Sequence, residues 1–96
     1  MYRVLIVDDE AIIRKGLSML LDWEQYGFEI TGECSNGMEA LELLKIKKFD
    51  VIVTDIRMPR LDGLELAKIV FERSLSVKVI LISGYKDFDY ARRAIE

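Results

Sequence analysis

Apolar and polar residues alternate along this chain with two different periods, and the switches between them mark out its elements. Tyr2 to Val7 is a short, mostly apolar run rich in β-branched residues, the composition of a strand covered on both faces of a parallel sheet. It ends abruptly in Asp8, Asp9 and Glu10. From Ala11 to Leu21 the apolar positions Ile13, Leu17, Leu20 and Leu21 recur at helical spacing, with Arg14, Lys15 and Ser18 turned away, which predicts an amphipathic helix. Phe28, Ile30, Gly32 and Cys34 then alternate with Glu29, Thr31 and Glu33, predicting a peripheral strand with one wetter face. Asn36 with Glu39 three residues on forms a capping-box-like start for a second helix. That helix carries Met38, Leu41 and Leu44 on one face and ends at Lys47 and Lys48.

Phe49 to Thr54 (FDVIVT) repeats the pattern of the first strand, and an aspartate, Asp55, again stands at its end. Met58 to Gly63 reads as a turn, with Asp62 and Glu65 capping a helix from about Leu64 to Arg73. Val77 to Ile82 is the fourth strand, closed by Ser83 and Gly84, and Asp87 caps a last helix through Phe88, Ala91, Ala94 and Ile95. Strands alternating with helices of this length indicate right-handed βαβ crossovers, so the fold class is α/β: an open parallel sheet with helices on both faces. Such sheets place a ligand outside the carboxyl ends of the strands, at the point where the winding reverses. The acids stand at that edge.

Composition narrows the possibilities further. Ninety-six residues make one small domain, residues 1–96, and the single proline and high apolar content exclude a disordered chain. A formal charge of −3 offers no positive field to a phosphate backbone, which argues against direct nucleic-acid binding. One cysteine, Cys34, forms no internal disulfide, a charge stands too early for a secretory signal, and no apolar run is long enough to span a membrane, so a cytoplasmic protein is expected. With no histidine, any chemistry must run on carboxylates, hydroxyls, lysines and backbone groups.

If the first and third strands are neighbours, Asp8, Asp9 and Asp55 converge in one crevice. Two unit charges about 4 Å apart at an effective dielectric near 20 repel by about 4 kcal/mol, a penalty that a hard divalent cation removes. Magnesium suits such a site, since it takes one or two carboxylates and leaves room for water and phosphate. Beside a metal, Asp55 is a competent nucleophile toward phosphorus, and an ionised carboxylate has no proton to lose. Ser83, at the end of the fourth strand, stands in the right layer to meet a phosphoryl oxygen, and the backbone amides near Arg57 and Gly84 could assist.

VDDE after the first strand, VTDIRMPRLDG after the third and LISGY after the fourth together resemble a response-regulator receiver domain, from Tyr2 to the final residue. The resemblance implies a flavodoxin-like sheet and reversible phosphorylation of one aspartate by a partner histidine kinase, with Mg²⁺. It likewise implies a phosphoacceptor domain and not a turnover enzyme. Asp55 is similar to the phosphoacceptor, Asp8 and Asp9 to the acidic metal-binding pair, Arg57 to the position whose backbone carbonyl ligates the metal, and Ser83 to the switch hydroxyl. SGYKDFDYARRAI looks like receivers that precede an AraC-type helix-turn-helix output region, so DNA is expected as a partner only through a region absent from this chain. A full receiver continues through a fifth strand, a following lysine and a fifth helix; these 96 residues lack them, and Lys86 is a poor substitute for that lysine. The fourth strand is then expected to be an apolar edge open to self-association, as a homodimer or by exchange of elements.

Several features also have plainer readings. Asp8, Asp9 and Glu10 are acids favoured at a helix start, and only Asp55 at the matching edge argues for more. Cys34 is expected as a small core residue, Trp23 and Tyr26 as covers for the end of the first helix, and Tyr85, Phe88 and Tyr90 as core or partner surface. Arg92 and Arg93 read as a solvated helix face. An aspartate-nucleophile phosphatase would place a second aspartate where Arg57 stands. A flavin site would need a Ser/Thr/Gly-rich loop after the first strand. A phosphorylation-independent interaction module with the same fold is the remaining alternative.

Overall fold

Strands β1 (Tyr2–Val7), β2 (Phe28–Cys34), β3 (Val51–Asp55) and β4 (Lys78–Ile82) form one parallel sheet in the order β2-β1-β3-β4. The structure, a computed structural model, describes residues 1–82 of the 96-residue chain. Helix α1 (Ala11–Met19) lies on one face of the sheet, and α2 (Gly37–Ile46) and α3 (Gly63–Glu72) on the other. β1 is central and covered on both sides. Val4 and Ile6 join Val53 and Leu17 on the α1 face, while Leu5 and Val7 join Ile52, Ala40, Leu66 and Val70 on the α2–α3 face. This two-sided burial explains why β1 and β3 read as continuous apolar runs.

The outer strand β2 departs from the alternation expected of it. Val4 pairs with Ile30 but Leu5 pairs with Gly32, so β2 carries one extra residue, Thr31, as a β-bulge. The bulge reverses the faces. Phe28 and Ile30 pack on the α1 side, whereas Gly32 and Cys34 lie against the α2–α3 core with Phe49 and Leu5. Glu33 accordingly turns to the α1 side, opposite Cys34, so the strand has no single wet face.

Helix α1 is shorter and less buried than its stripe predicts. The Leu20 N–H bonds back to the Leu17 carbonyl three residues earlier, which tightens the last turn and carries Leu20 and Leu21 off the stripe. Ile13 is exposed with them, and Leu17 makes the contact with the sheet. A short 3₁₀ turn, Trp23–Tyr26, follows. The Trp23 indole N–H donates to the Leu17 carbonyl at 3.0 Å and caps that helix end as expected. Tyr26 does not: it stands exposed where the chain turns through left-handed Gly27 into β2.

At the start of α2 the Asn36 side chain accepts from the Glu39 N–H, while the Glu39 carboxylate turns to Ser35. Gly37, and not Met38, is buried there. Its N–H donates to the Leu61 carbonyl at 3.0 Å, and a Cβ at this position would lie 2.6 Å from that oxygen. The sheet contact runs through Ala40, Leu41, Leu43 and Leu44. β4 is the outermost of the described strands on its side, with Ile80 half exposed. Ser83, Lys86 and the helix predicted after Asp87 lie outside the described residues.

Candidate functional site

Val7 of β1 pairs with Thr54 of β3, so Asp8, just past the end of β1, and Asp55, the last residue of β3, stand side by side. Parallel pairing therefore brings two distant segments to the same edge. One carboxylate oxygen from each of Asp8, Asp9 and Asp55 lies within 4.8 Å of the other two. The chain winds to opposite faces on either side of this point, since α1 covers one side of the sheet and α2 and α3 the other.

Asp8 is buried and held by three bonds. Its N–H donates to the Cys34 carbonyl at 3.1 Å, its Oδ1 accepts from the Glu10 N–H at 2.9 Å, and its carbonyl accepts from Arg14 Nη1 at 2.6 Å. Burial pushes its carboxyl above the ordinary carboxylate range; the Glu10 N–H opposes this, and the charges of Asp9 and Glu10 add to it. Asp9 is exposed and Asp55 half-buried. Asp55 Oδ1 accepts from the Ile56 N–H at 2.8 Å, and the buried Thr54 hydroxyl donates to the Asp55 carbonyl at 2.9 Å.

The loop after β3 is fixed to this edge. Gly63 N–H donates to the Ile56 carbonyl at 2.8 Å, and Arg60 and Leu61 both adopt left-handed backbone conformations before α3 begins. Asp62 and Glu65 then form a full capping box, as their spacing predicts. Arg57, exposed two residues past Asp55, lines a shallow cleft with Met58, Pro59 and Asp62.

Carboxylates are hard oxygen donors, and the convergence of these three fits a hard divalent cation such as magnesium. Burial, and the neighbouring acids after it, disfavour the ionised form of Asp8, and a cation bound there would offset both. Sequence reasoning found the acids but missed what supports them. Arg14 was expected to face solvent, yet its side chain is largely buried, with Nε donating to Glu33 Oε1 at 2.9 Å and Nη1 to the Asp8 carbonyl. An arginine one turn into a helix that opens directly behind an acid cluster is the signal that was there to read. Cys34 is a core thiol, pushed by burial up to about 11 and so unreactive at neutral pH.

The family described as response regulator receiver domain matches residues 4–96. The chain belongs to that family. It is 42% identical over its whole length to the transcriptional regulatory protein YesN of Bacillus subtilis, of which it covers 26%. To the transcriptional regulatory protein HptR of Staphylococcus aureus it is 38% identical, covering 37% of that protein. This receiver thus spans roughly a quarter to two-fifths of the length of the curated relatives it matches. Among solved structures, the receiver domain of AraT from Geobacillus stearothermophilus superposes with a TM-score of 0.87 at 44% identity, covering 98% of this chain and 73% of that one. The two-component transcriptional regulator AraC from Clostridium phytofermentans gives 0.85 at 35% identity, over 100% of this chain and 74% of that one. The flavodoxin-like α/β fold and the likeness to AraC-type receivers stand on these matches. Among the described residues, no helix is long and apolar enough to cross a membrane.

Proposed function

We propose that this receiver takes a phosphoryl group onto Asp55 from a histidine kinase and so controls a transcriptional output carried by a region outside this chain. The observation that carries the reading is the convergence of Asp8, Asp9 and Asp55 at the ends of β1 and β3. Asp8, Asp9, Asp55 and the backbone carbonyl of Arg57 would hold Mg²⁺. Bound there, the ion neutralises the acids and the incoming phosphoryl oxygens.

The residues supply position more than chemistry. The Ile56 N–H holds one Asp55 oxygen and fixes the plane of the carboxylate. A carboxylate oxygen of Asp55 attacks the phosphorus of a phosphohistidine. The P–N bond breaks, its electron pair leaves with the imidazole nitrogen, and an acyl phosphate remains on Asp55. No base is needed, because the attacking carboxylate is already ionised. Ser83, next after β4, is the hydroxyl assigned to sense the new phosphoryl group and move the surface behind it. DNA contact belongs to the output region.

Incubation with a small phosphodonor and Mg²⁺ tests the assignment. The wild-type chain is expected to take up label that hydroxylamine removes, and Asp55→Asn to take up none. Equal labelling of Asp55→Asn would move the acceptor elsewhere. Beryllofluoride with Mg²⁺ should shift resonances around Asp55 and Ser83; an inert interaction module would show no such change.

A further inference from the structure

We propose that Arg14, held by Glu33, is a positioning residue that sets the Asp8–Asp9 peptide for cation binding. The inference rests on the reading of the acid pocket as a Mg²⁺ site and adds to it a support from two other elements. The Asp8 carbonyl belongs to the peptide that joins the two acids, so the group that grips this oxygen also sets the direction in which Asp9 leaves. That group is Arg14 Nη1, at 2.6 Å. The guanidinium is in turn fixed by Glu33 Oε1 at 2.9 Å from Nε. Glu33 can reach α1 only because the Thr31 bulge turns it to the α1 face of the sheet. The same strand end supplies the Cys34 carbonyl that accepts the Asp8 N–H. Asp8 is therefore anchored on both sides of its own backbone, by β2 directly and by β2 through Arg14.

Charge alone predicts the opposite role. A guanidinium one peptide away from a cation site repels the cation, so its removal should tighten Mg²⁺ binding if charge were all that mattered. A positioning role predicts weaker binding on removal, because the pocket loses its preorganisation. Groups that orient metal ligands typically contribute 10–100-fold to affinity. The sign of the effect separates the two. Lysine cannot restore the arrangement, since one ammonium does not present two donors in the fixed fork that meets a carbonyl and a carboxylate at once.

Calorimetric titration of Mg²⁺ into the wild-type chain, Arg14→Met, Arg14→Lys and Glu33→Met, paired with thermal unfolding in chelator, is the test. Arg14→Met is expected to lose about tenfold in Mg²⁺ affinity. Arg14→Lys and Glu33→Met should show smaller losses in the same direction, and the Arg14→Met/Glu33→Met double variant should lose no more than Arg14→Met alone. Arg14→Lys keeps the positive charge and loses only the fork, so a loss of affinity there cannot come from charge, and it carries the test should Arg14→Met fail to fold. Unchanged or tighter binding in the folded variants, with only the unfolding temperature lowered, would overturn the inference while leaving the metal site intact. A wild-type chain that binds no Mg²⁺ would overturn the pocket reading and the inference with it.

Discussion

A Cβ placed on Gly63 would lie 2.1 Å from the carbonyl oxygen of Asp55. The first residue of α3 is thus pressed against the backbone of the aspartate assigned as phosphoacceptor, and glycine is there for closeness, not for an unusual backbone angle. The capping box of Asp62 and Glu65 holds α3 in that position from the other side.

Gly63→Ala must therefore move either α3 or the end of β3. A loss of about 1–3 kcal/mol is expected, the usual cost of overpacking against a rigid neighbour. The displaced neighbour is the Asp55 peptide itself, so Mg²⁺ affinity should fall together with stability. Chemical denaturation and Mg²⁺ titration check the pair; a variant as stable as wild type would show that the contact relaxes freely.

Asp8→Asn is expected to stabilise the chain in chelator at neutral pH, read as a higher unfolding temperature. Because the folded-state carboxyl of Asp8 titrates above its ordinary value of 3.8, the folded state holds its proton more tightly than the unfolded one. The ionised group then costs stability above the folded value, and the cost vanishes below the ordinary one. The advantage of Asp8→Asn should accordingly fade as the pH falls toward 3.8, and the variant should gain nothing from added Mg²⁺. Asparagine Oδ1 can still accept from the Glu10 N–H. A lower unfolding temperature at pH 7 would sink this expectation.

Thr31→Val removes a buried hydroxyl that makes no hydrogen bond among the described residues. Replacing an unsatisfied buried polar atom by a methyl group of the same shape is expected to add about 1 kcal/mol. The Thr31 carbonyl, which accepts from Lys47 Nζ at 2.6 Å, is untouched by the substitution. Urea denaturation measures the change, and a loss of stability would mean that the hydroxyl is satisfied in solution.

The sheet, its two-sided core and the acid pocket were legible in the sequence because each depends on a strong local signal. The runs in β1 and β3 are short, apolar and rich in β-branched residues, as suits doubly covered strands, and both end in aspartate at the same point of the pattern. The Asp62–Glu65 cap was legible for the same reason. What escaped was non-local. Nothing in FEITGEC announces that Thr31 is skipped by the ladder, since a bulge is fixed by what β1 needs opposite it. Arg14 looked like a solvent-facing residue because its partners come from β2 and from the loop before its own helix. The exposure of Leu20 and Leu21 follows from one tightened turn that hydrophobic spacing does not encode.

The bulge makes β2 one residue longer as sequence than as ladder. Thr31 is a spacer, and a chain shortened by that single residue could run an unbroken register beside β1 with every flanking side chain on its present side. Loss of a neighbour such as Gly32 would leave the same count but put threonine where Phe49 and Leu5 now close over glycine. Tolerance of deletion in this strand should hence be confined to one position, the kind of length variation that an outer strand can absorb while the rim it feeds keeps its shape.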